Sequence, residues 1–457
     1  MMKYKKALFI FRRDLRLQDN TGLIEAIKHA DKVIPCFIFD PRQIGSANRY
    51  KSDNCIQFMI ESLHDLDKEL KIHKTHLYVF NGEAEKVVET LLQDEVIDAV
   101  FCNRDYTPFS IKRDTAFKKI CEKNNAAFHQ YADSLLHEPE EVKTKNGTPY
   151  LMFTPFFKYA HTNLTVRKPK RRPSIVFYGG RMHNALSLSA IEKPENDSIA
   201  VHGGRINALK LLKKIDRYRD YEKMRNFPAL DATTHLSAHN KFGTVSIREV
   251  YYAIQNKLGS AHTLLRELYW RDFFTHITFH FPHVFGQSFK KQYDELVWEN
   301  NKKKFKAWCE GKTGYPIVDA GMRELNATGY MHNRVRMITA SFLVKDLHID
   351  WRWGERYFAQ TLVDYDPSVN NGNWQWVAST GCDAQPYFRI FNPWLQQKKF
   401  DAECVYIKKW IPELRVLPPA IIHTWFKKAD IISSEYPAPI VQHDVEAVIS
   451  KTIYSKV

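Results

Sequence analysis

Short apolar runs alternate with amphipathic stretches through the first 131 residues of the chain. Runs this short are typical of buried strands, whereas apolar residues every three to four positions are typical of helices. The runs that predict strands are Ala7–Phe11, Val33–Phe39, His76–Phe80, Ala99–Cys102 and Ala127–Tyr131. The stretches that predict helices are Gly22–Ala30, Asp53–Leu70, Glu83–Leu92 and Ile111–Lys123. Their alternation predicts an α/β domain with a Rossmann-like parallel five-stranded sheet and helices on both faces.

The carboxyl ends of parallel strands are where an open sheet of this kind binds ligands. In this chain those ends lie near Arg12, Asp40 and residues 103–105. No G-x-G-x-x-G follows the first strand, so the fingerprint of a dinucleotide site is absent. We therefore expect a ligand-binding edge of another kind.

The remainder of the chain has a different pattern. Residues 132–203 lack a sustained period and contain Pro, Gly and the basic cluster 167–172, so they are interpreted as a linker with a solvated loop. Helical periods dominate residues 204–457, which predicts an all-α domain. The predicted helices are Arg205–Arg219, Ser246–Lys257, His262–Phe281, Asn301–Glu310, Ile317–Thr328, His332–Leu347, Trp351–Leu362 and Trp374–Ser379. The domain prediction is thus 1–131, 132–203 and 204–457.

Charge narrows the range of partners. The 457 residues include 67 Lys plus Arg against 52 Asp plus Glu, which gives a formal net charge of +15 and a pI of about 9.2. This surplus favours a polyanionic partner, with nucleic acid ahead of a membrane surface. Many basic proteins bind no nucleic acid, so charge alone does not establish nucleic acid as the partner.

Cysteine usage and hydropathy indicate the compartment. The seven cysteines are odd in number and include no C-x-x-C pair, which favours reduced thiols. The N-terminal apolar run is too short for a signal peptide, and no window holds the roughly 18 apolar residues of a membrane span. We expect a soluble, intracellular, cytoplasmic protein without a membrane segment.

Motifs for several common chemistries are absent from the sequence. His280 and His283 lie near each other, but no Cys or carboxylate set completes a zinc pattern, so no metal site is expected. The G-x-S-x-G and P-loop motifs are also missing.

The most informative segment is 370–393, Asn-Asn-Gly-Asn-Trp-Gln-Trp-Val-Ala-Ser-Thr-Gly-Cys-Asp-Ala-Gln-Pro-Tyr-Phe-Arg-Ile-Phe-Asn-Pro. Its first four residues favour caps and turns, which predicts a polar entry before a helix at Trp374. The segment resembles the flavin-contacting signature of the DNA photolyase/cryptochrome family. A second match, Phe-Arg-Arg-Asp-Leu-Arg-Leu-Gln-Asp-Asn, occupies residues 11–20. Matching stretches run from Ala7 to about Pro419, so the resemblance covers nearly the whole chain.

Residues 331–337, Met-His-Asn-Arg-Val-Arg-Met, bear on the subclass within that family. Asn333 and Met337 are four positions apart and share a helix face. The string is similar to that of class I photolyases that split cyclobutane pyrimidine dimers, whereas (6-4) photolyases carry histidines at both positions. The resemblance implies that Asn333, Arg334 and Met337 border the lesion pocket.

Residues 267–271, Glu-Leu-Tyr-Trp-Arg, place Glu267, Trp270 and Arg271 on one helical face. Taken alone, they fit a surface Glu–Arg pair beside a half-buried Trp. The resemblance implies instead that Glu267 hydrogen-bonds the damaged bases, Trp270 stacks on them and Arg271 supports the flavin site. Trp376 is the second candidate for stacking, since aromatic walls offset the cost of extruding a base.

Trp374 and Trp376 are two positions apart, so on a helix they point about 200° from each other. The resemblance implies that Trp374 begins an electron-transfer relay that continues through Trp351 and ends at Trp298. On composition alone, these three would be core tryptophans.

The resemblance implies FAD as the cofactor, in its reduced FADH− form. Asn370 would face flavin N5, and Arg336 would pair with Asp364 near the isoalloxazine edge. Hydroxyls at 233–237 either hold the pyrophosphate at a helix start or serve as ordinary caps. Position 235 is His in this chain, whereas many relatives carry a basic residue there. The implied cofactor contacts are Tyr221, Thr233, Thr234, His235, Leu236, Ser237, Glu267, Arg271, Asn333, Arg336, Asp364, Asp366 and Asn370.

The expected function is therefore light-dependent repair of cyclobutane pyrimidine dimers by a deoxyribodipyrimidine photo-lyase. UV-damaged DNA is the expected partner, with no obligate protein partner and a monomeric state. The DNA contacts implied are Trp270, Arg334, Trp376 and Arg389. Three alternatives stay open: a (6-4) photolyase, a blue-light-sensing cryptochrome without repair activity, and a nucleotide-binding module without light chemistry. A sensor often extends well beyond its flavin domain, and no low-complexity tail follows here.

An antenna chromophore in the N-terminal domain is a further expectation. Relatives use a folate (methenyltetrahydrofolate) or a deazaflavin. The segment 103–107 lies where such contacts fall, but Thr107 replaces the acidic residue expected for folate binding. The antenna type stays open at this point.

Overall fold

The computed structural model describes residues 3–174, 176–429 and 435–457. The chain divides into two compact units. The first unit comprises Met1–Glu195, Val201–Arg217 and Thr234–Pro282, and the second comprises Asn196–Ala200, Tyr218–Thr233 and His283–Val457. This division places several helices after residue 204 in the first unit, unlike the predicted boundary. One physical reason is that Arg248 binds Asp19 and Asp133 of the N-terminal part.

A parallel five-stranded sheet forms the centre of the first unit. Its strands are β1 (Tyr4–Phe11), β2 (Ala30–Phe39), β3 (Tyr78–Asn81), β4 (Ala99–Asn103) and β5 (Ala127–Tyr131). The spatial order is β3-β2-β1-β4-β5, so β1 is central and pairs with β2 and β4. β4 is buried along its whole length and β1 over most of it, as expected for strands covered on both faces. The predicted α/β fold class is confirmed.

Helices make up most of the remaining structure. The first eleven are α1 (Thr21–His29), α2 (Pro41–Ile44), α3 (Asp53–Ile72), α4 (Ala84–Asp94), α5 (Pro108–Lys123), α6 (Phe153–Asn163), α7 (Arg205–Lys213), α8 (Tyr221–Met224), α9 (Ser237–Phe242), α10 (Ile247–Leu258) and α11 (Thr263–His280). The others are α12 (Lys302–Glu310), α13 (Pro316–Thr328), α14 (Asn333–Ser341), α15 (Trp351–Thr361), α16 (Pro367–Ala378), α17 (Pro393–Phe400), α18 (Val405–Trp410), α19 (Pro419–Ile422), α20 (Trp425–Lys428) and α21 (His443–Tyr454).

Side-chain caps explain where many of these helices begin. Asn20, Ser52 and Thr107 each accept a hydrogen bond from a backbone N–H in the first turn of α1, α3 and α5. α10 has a full capping box, in which Ser246 and Glu249 satisfy each other's backbone N–H groups. These local signals are readable in the sequence, and the helix bounds accordingly lie close to the predicted ones.

The structure differs from the predicted local structure in three places. Within the predicted linker 132–203, Phe153–Asn163 forms helix α6. The helix predicted from His332 to Leu347 ends at Ser341 and continues as a π-helical turn, Phe342–Asp346. Helices α17–α21 were not predicted at all.

The polar run before Trp374 is the fourth correction. Residues 370–373 lie inside α16, which begins at Pro367 instead of Trp374. Asp366 caps this helix by accepting hydrogen bonds from the N–H groups of Ser368 and Val369, and Pro367 suits the first helical position. The amides of the run therefore need partners in tertiary structure, because they do not serve as a turn.

The second unit has an aromatic core. Trp308, Trp351 and Trp425 are completely buried, and α13–α16 contribute many of the apolar side chains around them. Trp298 and Trp376 are half-buried at the margin of this core. Among the residues that the structure describes, no helix is both long and apolar enough to cross a membrane.

Candidate functional site

Helix α11 carries the predicted lesion-contacting residues of the first unit. Glu267, Trp270 and Arg271 all lie in its middle turns and are half-buried, so the predicted common face exists. Trp270 stacks on Phe153 of α6, with ring centroids 3.5 Å apart and an interplanar angle of 7°. The indole is thus held by an aromatic residue that the sequence pattern did not single out.

Arg271 is engaged with backbone carbonyls. Its Nη1 donates to the carbonyl of Ser134 at 2.6 Å, and its Nη2 donates to that of Asn240 at 3.4 Å. The neighbouring Asp272 is fully buried and accepts the N–H groups of Leu136 and His137. Burial raises the pKa of Asp272 to about 7, against the charge of Arg271. These contacts hold the segment after β5 against α11, which gives Arg271 a structural role within the first unit.

The segment 233–237 adopts a turn before α9. Thr233 Oγ1 lies 3.5 Å from the hydroxyl of Tyr330, and Thr234 Oγ1 accepts the N–H of Leu236 at 3.4 Å. His235 has a positive φ of 53°, and Ser237 is exposed as the first residue of α9. Tyr221 opens α8, is buried, and has the guanidinium of Arg225 over its ring.

Helix α14 displays the residues that bear on the subclass. Asn333 begins this helix and is exposed, while Met337 follows one turn later and is half-buried. Arg334 donates through Nη2 and Nε to Asn226 Oδ1, at 2.8 and 3.2 Å, and lies 4.6 Å from the ring centre of Phe400. Arg334 is therefore ordered by contacts inside the second unit. Arg389 is exposed.

Arg336 and Asp364 form the predicted ion pair. Arg336 Nη2 donates to Asp364 Oδ2 at 3.0 Å, and its Nε donates to the carbonyl of Met331 at 2.7 Å. Asp364 Oδ1 is buried and has no hydrogen-bond partner in the described structure. A buried acceptor left in this way is costly unless a ligand donor meets it, so the pair fits an N–H of the flavin ring.

Asn370 and its neighbours form an array that we call the amide ladder, made of Glu355, Asn370, Asn371 and Gln375. Asn370 Nδ2 donates to the carbonyl of Glu355 at 3.0 Å, and Asn371 Nδ2 donates to Glu355 Oε1 at 2.9 Å. Gln375 Nε2 then donates to Asn371 Oδ1 at 3.1 Å. Gln375 Oε1 accepts the N–H of Phe289, which ties α15, α16 and the segment after α11 together.

The ladder explains why amides occupy the interior of α16. Asn370, Asn371 and Gln375 are all buried, and their polar groups are matched by one another and by Glu355. Burial raises the pKa of Glu355 to about 7, against the hydrogen bond from Asn371. The side chain of Asn370 is thus held in a fixed orientation, as a residue facing a flavin would require.

The tryptophans predicted for electron transfer have different degrees of burial. Trp351 and Trp374 are core residues, whereas Trp298 is half-buried and meets Tyr454 edge-to-face at 6.2 Å. The close approach of α15 to Trp374 requires a glycine, because a Cβ at Gly354 would lie 2.2 Å from the indole. Trp376, two positions after the buried Trp374 on α16, is half-buried.

Charged residues gather at the carboxyl edge of the sheet. Arg12 donates to Asp114 and to the carbonyl of Asn103, and Asp40 caps α2 while pairing with Arg42. The predicted ligand edge is thus occupied by internal pairs, and a small cleft remains there. Its lining residues are Arg12, Arg13, Asp14, Asn103, Arg104, Asp105, Asp133 and Ser134. Thr107 caps α5.

No group of three or more His, Cys, Asp or Glu side chains suited to a metal occurs in the described ranges. The residues that sequence reasoning missed are Phe153, Glu355 and Asn371. Of these three residues, only Asn371 lies in a segment with a local signal, the polar run 370–373. Amides in such a run need hydrogen-bond partners when they are buried.

Comparison with known proteins identifies the parts of the chain that are shared with a family. A family model described as DNA photolyase matches residues 7–174, and one described as the FAD binding domain of DNA photolyase matches residues 264–456. A deoxyribodipyrimidine photo-lyase of Alkalihalophilus pseudofirmus is 40% identical, over 95% of this chain and 94% of its own length.

Two solved structures extend the similarity to three dimensions. An archaeal photolyase from Sulfolobus tokodaii, solved with two FAD molecules, is 47% identical with a TM-score of 0.89 and covers 99% of this chain and 100% of its own. A class III photolyase from Agrobacterium tumefaciens is 35% identical with a TM-score of 0.91, over 100% of this chain and 98% of its own. These relatives do not distinguish class I, which the sequence favoured, from class III.

Proposed function

The chain belongs to the DNA photolyase family, and we propose that it repairs cyclobutane pyrimidine dimers in UV-damaged DNA under light. The observation that carries this specificity is the placement of Asn333 and Met337 one turn apart on α14. An amide and a thioether cannot act as acids, whereas a histidine at either position could protonate the lesion, and opening a cyclobutane ring needs no proton transfer. The proposal therefore excludes the (6-4) lesion as the preferred substrate.

FAD is the cofactor, and the residues of the second unit described above fit it. Asp364 Oδ1 would accept an N–H of the flavin ring, with Arg336 holding the carboxylate in place. Asn370 would face N5, its orientation set by the carbonyl of Glu355. When bound, reduced FAD supplies the electron that opens the dimer after absorbing light. Further contacts proposed from the sequence are Tyr221, Thr233, Thr234, His235, Leu236, Ser237 and Asp366.

Lesion recognition is assigned to Glu267, Trp270 and Trp376. An extruded pyrimidine dimer offers flat faces for the indoles and carbonyl and N–H groups for the carboxyl group. Arg334 and Arg389 would contact phosphates, so affinity for DNA should fall as salt rises. Of these two, Arg389 is the exposed one.

The tryptophans serve to restore the reduced cofactor. We assign Trp374, Trp351 and Trp298 to a relay from the core to the half-buried margin of the second unit. Replacing Trp351 with Phe should slow photoreduction of bound FAD by at least tenfold and leave repair by chemically reduced protein unchanged.

Illumination of the purified, chemically reduced protein tests the function directly. The substrate is an oligonucleotide with one thymine dimer, and the product is restored thymine, measured by chromatography. A dark sample and an oligonucleotide with a (6-4) photoproduct are the controls. Restored thymine only in the light and only from the dimer is the expected result. Absence of repair in a protein that retains FAD would favour the light-sensor alternative.

Glu267→Gln gives a finer test of the same site. Gln keeps the length of the side chain and one acceptor but removes the carboxyl group. We expect the repair yield to fall several-fold with FAD content unchanged. An unchanged yield would remove Glu267 from the lesion contacts.

The expected monomeric state is tested separately, by sedimentation of the unaltered protein.

For the antenna, we propose a second FAD in place of folate or deazaflavin. Two observations support it: Thr107 is a helix cap with no acidic group, and the Sulfolobus tokodaii relative contains two FAD molecules. Chromatography of the chromophores released on denaturation should give about two FAD per chain. One FAD per chain with a folate or deazaflavin spectrum would contradict the proposal.

A further inference from the structure

Phe153 and Trp270 form an unusually close aromatic pair. Their ring centroids are 3.5 Å apart and their planes are nearly parallel, at 7°. Aromatic pairs more often adopt offset or edge-on geometries at 4.5 Å or more, so this overlap is unusually complete. It connects the first residue of α6 with the middle of α11.

The surroundings of Phe153 leave its ring little freedom. Phe153 is 1% exposed, so it is a core residue. Phe157 lies nearly parallel to it at 5.9 Å, and Phe273 meets it edge-on at 5.9 Å. The guanidinium of Arg266 lies 5.7 Å from its ring centre. Because the ring of Phe153 is restrained from several directions, a side chain stacked on it is held parallel to it.

Trp270 depends on this restraint because it is only half-buried. Besides Phe153, its ring contacts are Phe273, edge-on at 5.8 Å, and Phe274, tilted by 26° at 5.5 Å. Both neighbours lie on its own helix, three and four residues away. Phe153 is therefore the only ring contact from another element among the described residues.

We propose that Phe153 is a positioning residue for lesion recognition, which fixes the indole plane of Trp270 before DNA binds. This inference rests on the proposed function, since it concerns the way the extruded pyrimidines are received. An indole that is already ordered does not lose rotamer freedom on binding, so binding is not weakened by the entropy cost of ordering it. Phe153 does not touch the DNA in this proposal; it acts through Trp270.

The role predicts a specific pattern of effects. Affinity for damaged DNA should depend on an aromatic ring at 153, because a flexible aliphatic side chain does not define a plane. Affinity for undamaged DNA should not depend on it, since that binding is largely electrostatic. The repair rate at saturating DNA should also be nearly unchanged, because a bound dimer meets the same groups.

The test compares Phe153→Leu with Phe153→Tyr and with Phe157→Leu as a matched control. Phe157 lies one turn further along α6, also faces Arg266, and makes no ring contact with Trp270 in the described structure. The measurement is the Kd for a thymine-dimer oligonucleotide in the dark, beside the Kd for the undamaged strand. FAD content and melting temperature are recorded for each variant.

We expect Phe153→Leu to weaken dimer binding about tenfold, with undamaged DNA bound as before. Phe153→Tyr should recover binding to within about threefold of the original protein. Phe157→Leu should weaken binding less than about threefold, because Phe273 and Arg266 still restrain the ring of Phe153. If Phe153→Leu lowers FAD content or melting temperature, Phe153→Met takes its place, and the contrast with Phe153→Tyr decides.

Three results would overturn the inference: unchanged dimer affinity in the aliphatic variant, equal weakening by Phe157→Leu, or no recovery with Tyr. Failure of the proposed function has a different signature. In that case the unaltered protein itself does not bind or repair the dimer, whereas failure of the inference leaves repair intact and insensitive to Phe153.

Discussion

Two regions of the molecule bury carboxyl groups, and they compensate for the charge in different ways. In the first unit, Asp133 lies between Arg16 and Arg248, with N–O distances of 2.5 and 2.7 Å, and Arg248 also binds Asp19 at 2.8 Å. We call these four residues the arginine–aspartate cluster. In the amide ladder of the second unit, Glu355 accepts a hydrogen bond from Asn371 and has no ion pair among the described residues.

The difference shows in the acidity of the two groups. Burial acts to raise the pKa of each. At Asp133 the charges of Arg16 and Arg248 outweigh burial and hold the pKa well below its usual range. At Glu355 burial prevails over the amide hydrogen bond, so the pKa rises to about 7. The cluster thus stays charged, while the ladder holds an acid that titrates near neutrality.

The two regions also differ in how their buried polar atoms are matched. The cluster pairs its own charges, although Arg16 Nε has no partner in the described structure, and it joins α10 to the loops after β1 and β5, so it serves the fold. In the second unit, by contrast, Asp364 Oδ1 is left without a partner although Arg336 binds the other oxygen of the same carboxylate, and Asn370 is positioned by the backbone of Glu355. Other buried polar atoms of this unit, such as Asp346 Oδ2, also have no partner in the described structure, so the free oxygen supports the proposed cofactor site only together with the Arg336 pair.

Breaking the cluster should have the largest effect. Asp133→Asn leaves two buried arginines with one carboxylate, and removing one partner of a buried ion pair costs about 3–5 kcal/mol. The measurement is the free energy of unfolding in urea for the FAD-loaded protein. Glu25→Gln, which removes the surface partner of Lys28, is the control and should cost less than about 1 kcal/mol. Equal losses in the two variants would contradict the contrast.

Glu355→Gln should change the pH dependence of stability. Because the pKa of Glu355 is raised from 4.5 to about 7 in the folded state, its contribution is full below pH 4.5 and is lost as pH rises through 7. The loss amounts to about 3 kcal/mol, at 1.36 kcal/mol for each pKa unit. Most of this loss falls between pH 5 and pH 8, so the unfolding free energies at these two pH values should differ less in the variant by about 2.5 kcal/mol. Parallel profiles for the two proteins would refute the assignment.

Asp364→Asn tests the carboxylate oxygen that has no partner in the described part of the second unit. Asn keeps the shape but removes the charge that faces Arg336, and hydrogen bonds to charged groups contribute about 1.5–3 kcal/mol. We expect FAD affinity to fall about 10- to 100-fold, measured by titration of the apoprotein with FAD. Asp294→Asn removes another carboxylate of the same unit, paired with Arg352, and should bind FAD as before. A normal FAD affinity for Asp364→Asn would exclude it from the site.

The smallest expected effect is the difference in stability between replacing a buried and replacing an exposed Asn of α16. Asn371→Ala removes a rung of the ladder and should cost about 1–2 kcal/mol, because Gln375 and Glu355 lose a partner. Asn373 is exposed and donates only to the carbonyl of Val369 within α16. Asn373→Ala should be neutral or slightly stabilising, since Ala is the better helix former. Thermal unfolding of the two variants measures the difference.

Much of the architecture could be predicted because its signals are local. Strands β1–β4 contain short continuous apolar runs, and α1, α3, α5 and α10 have capping residues next to periodic apolar positions. The entry to α16 could not be predicted in this way. Asn and Gly favour turns, but buried partners on α15 and the segment 284–289 outweigh that preference.

The sequence by itself determined the alternation of strands and helices, the helical period of α14 that places Asn333 beside Met337, and the resemblance that names the cofactor. These properties depend on neighbours within a few positions. Only the tertiary structure decided which rings and amides meet, as with Phe153 on Trp270 and Asn371 on Glu355. Such contacts join residues on different elements, and their geometry is set by packing that no local pattern records.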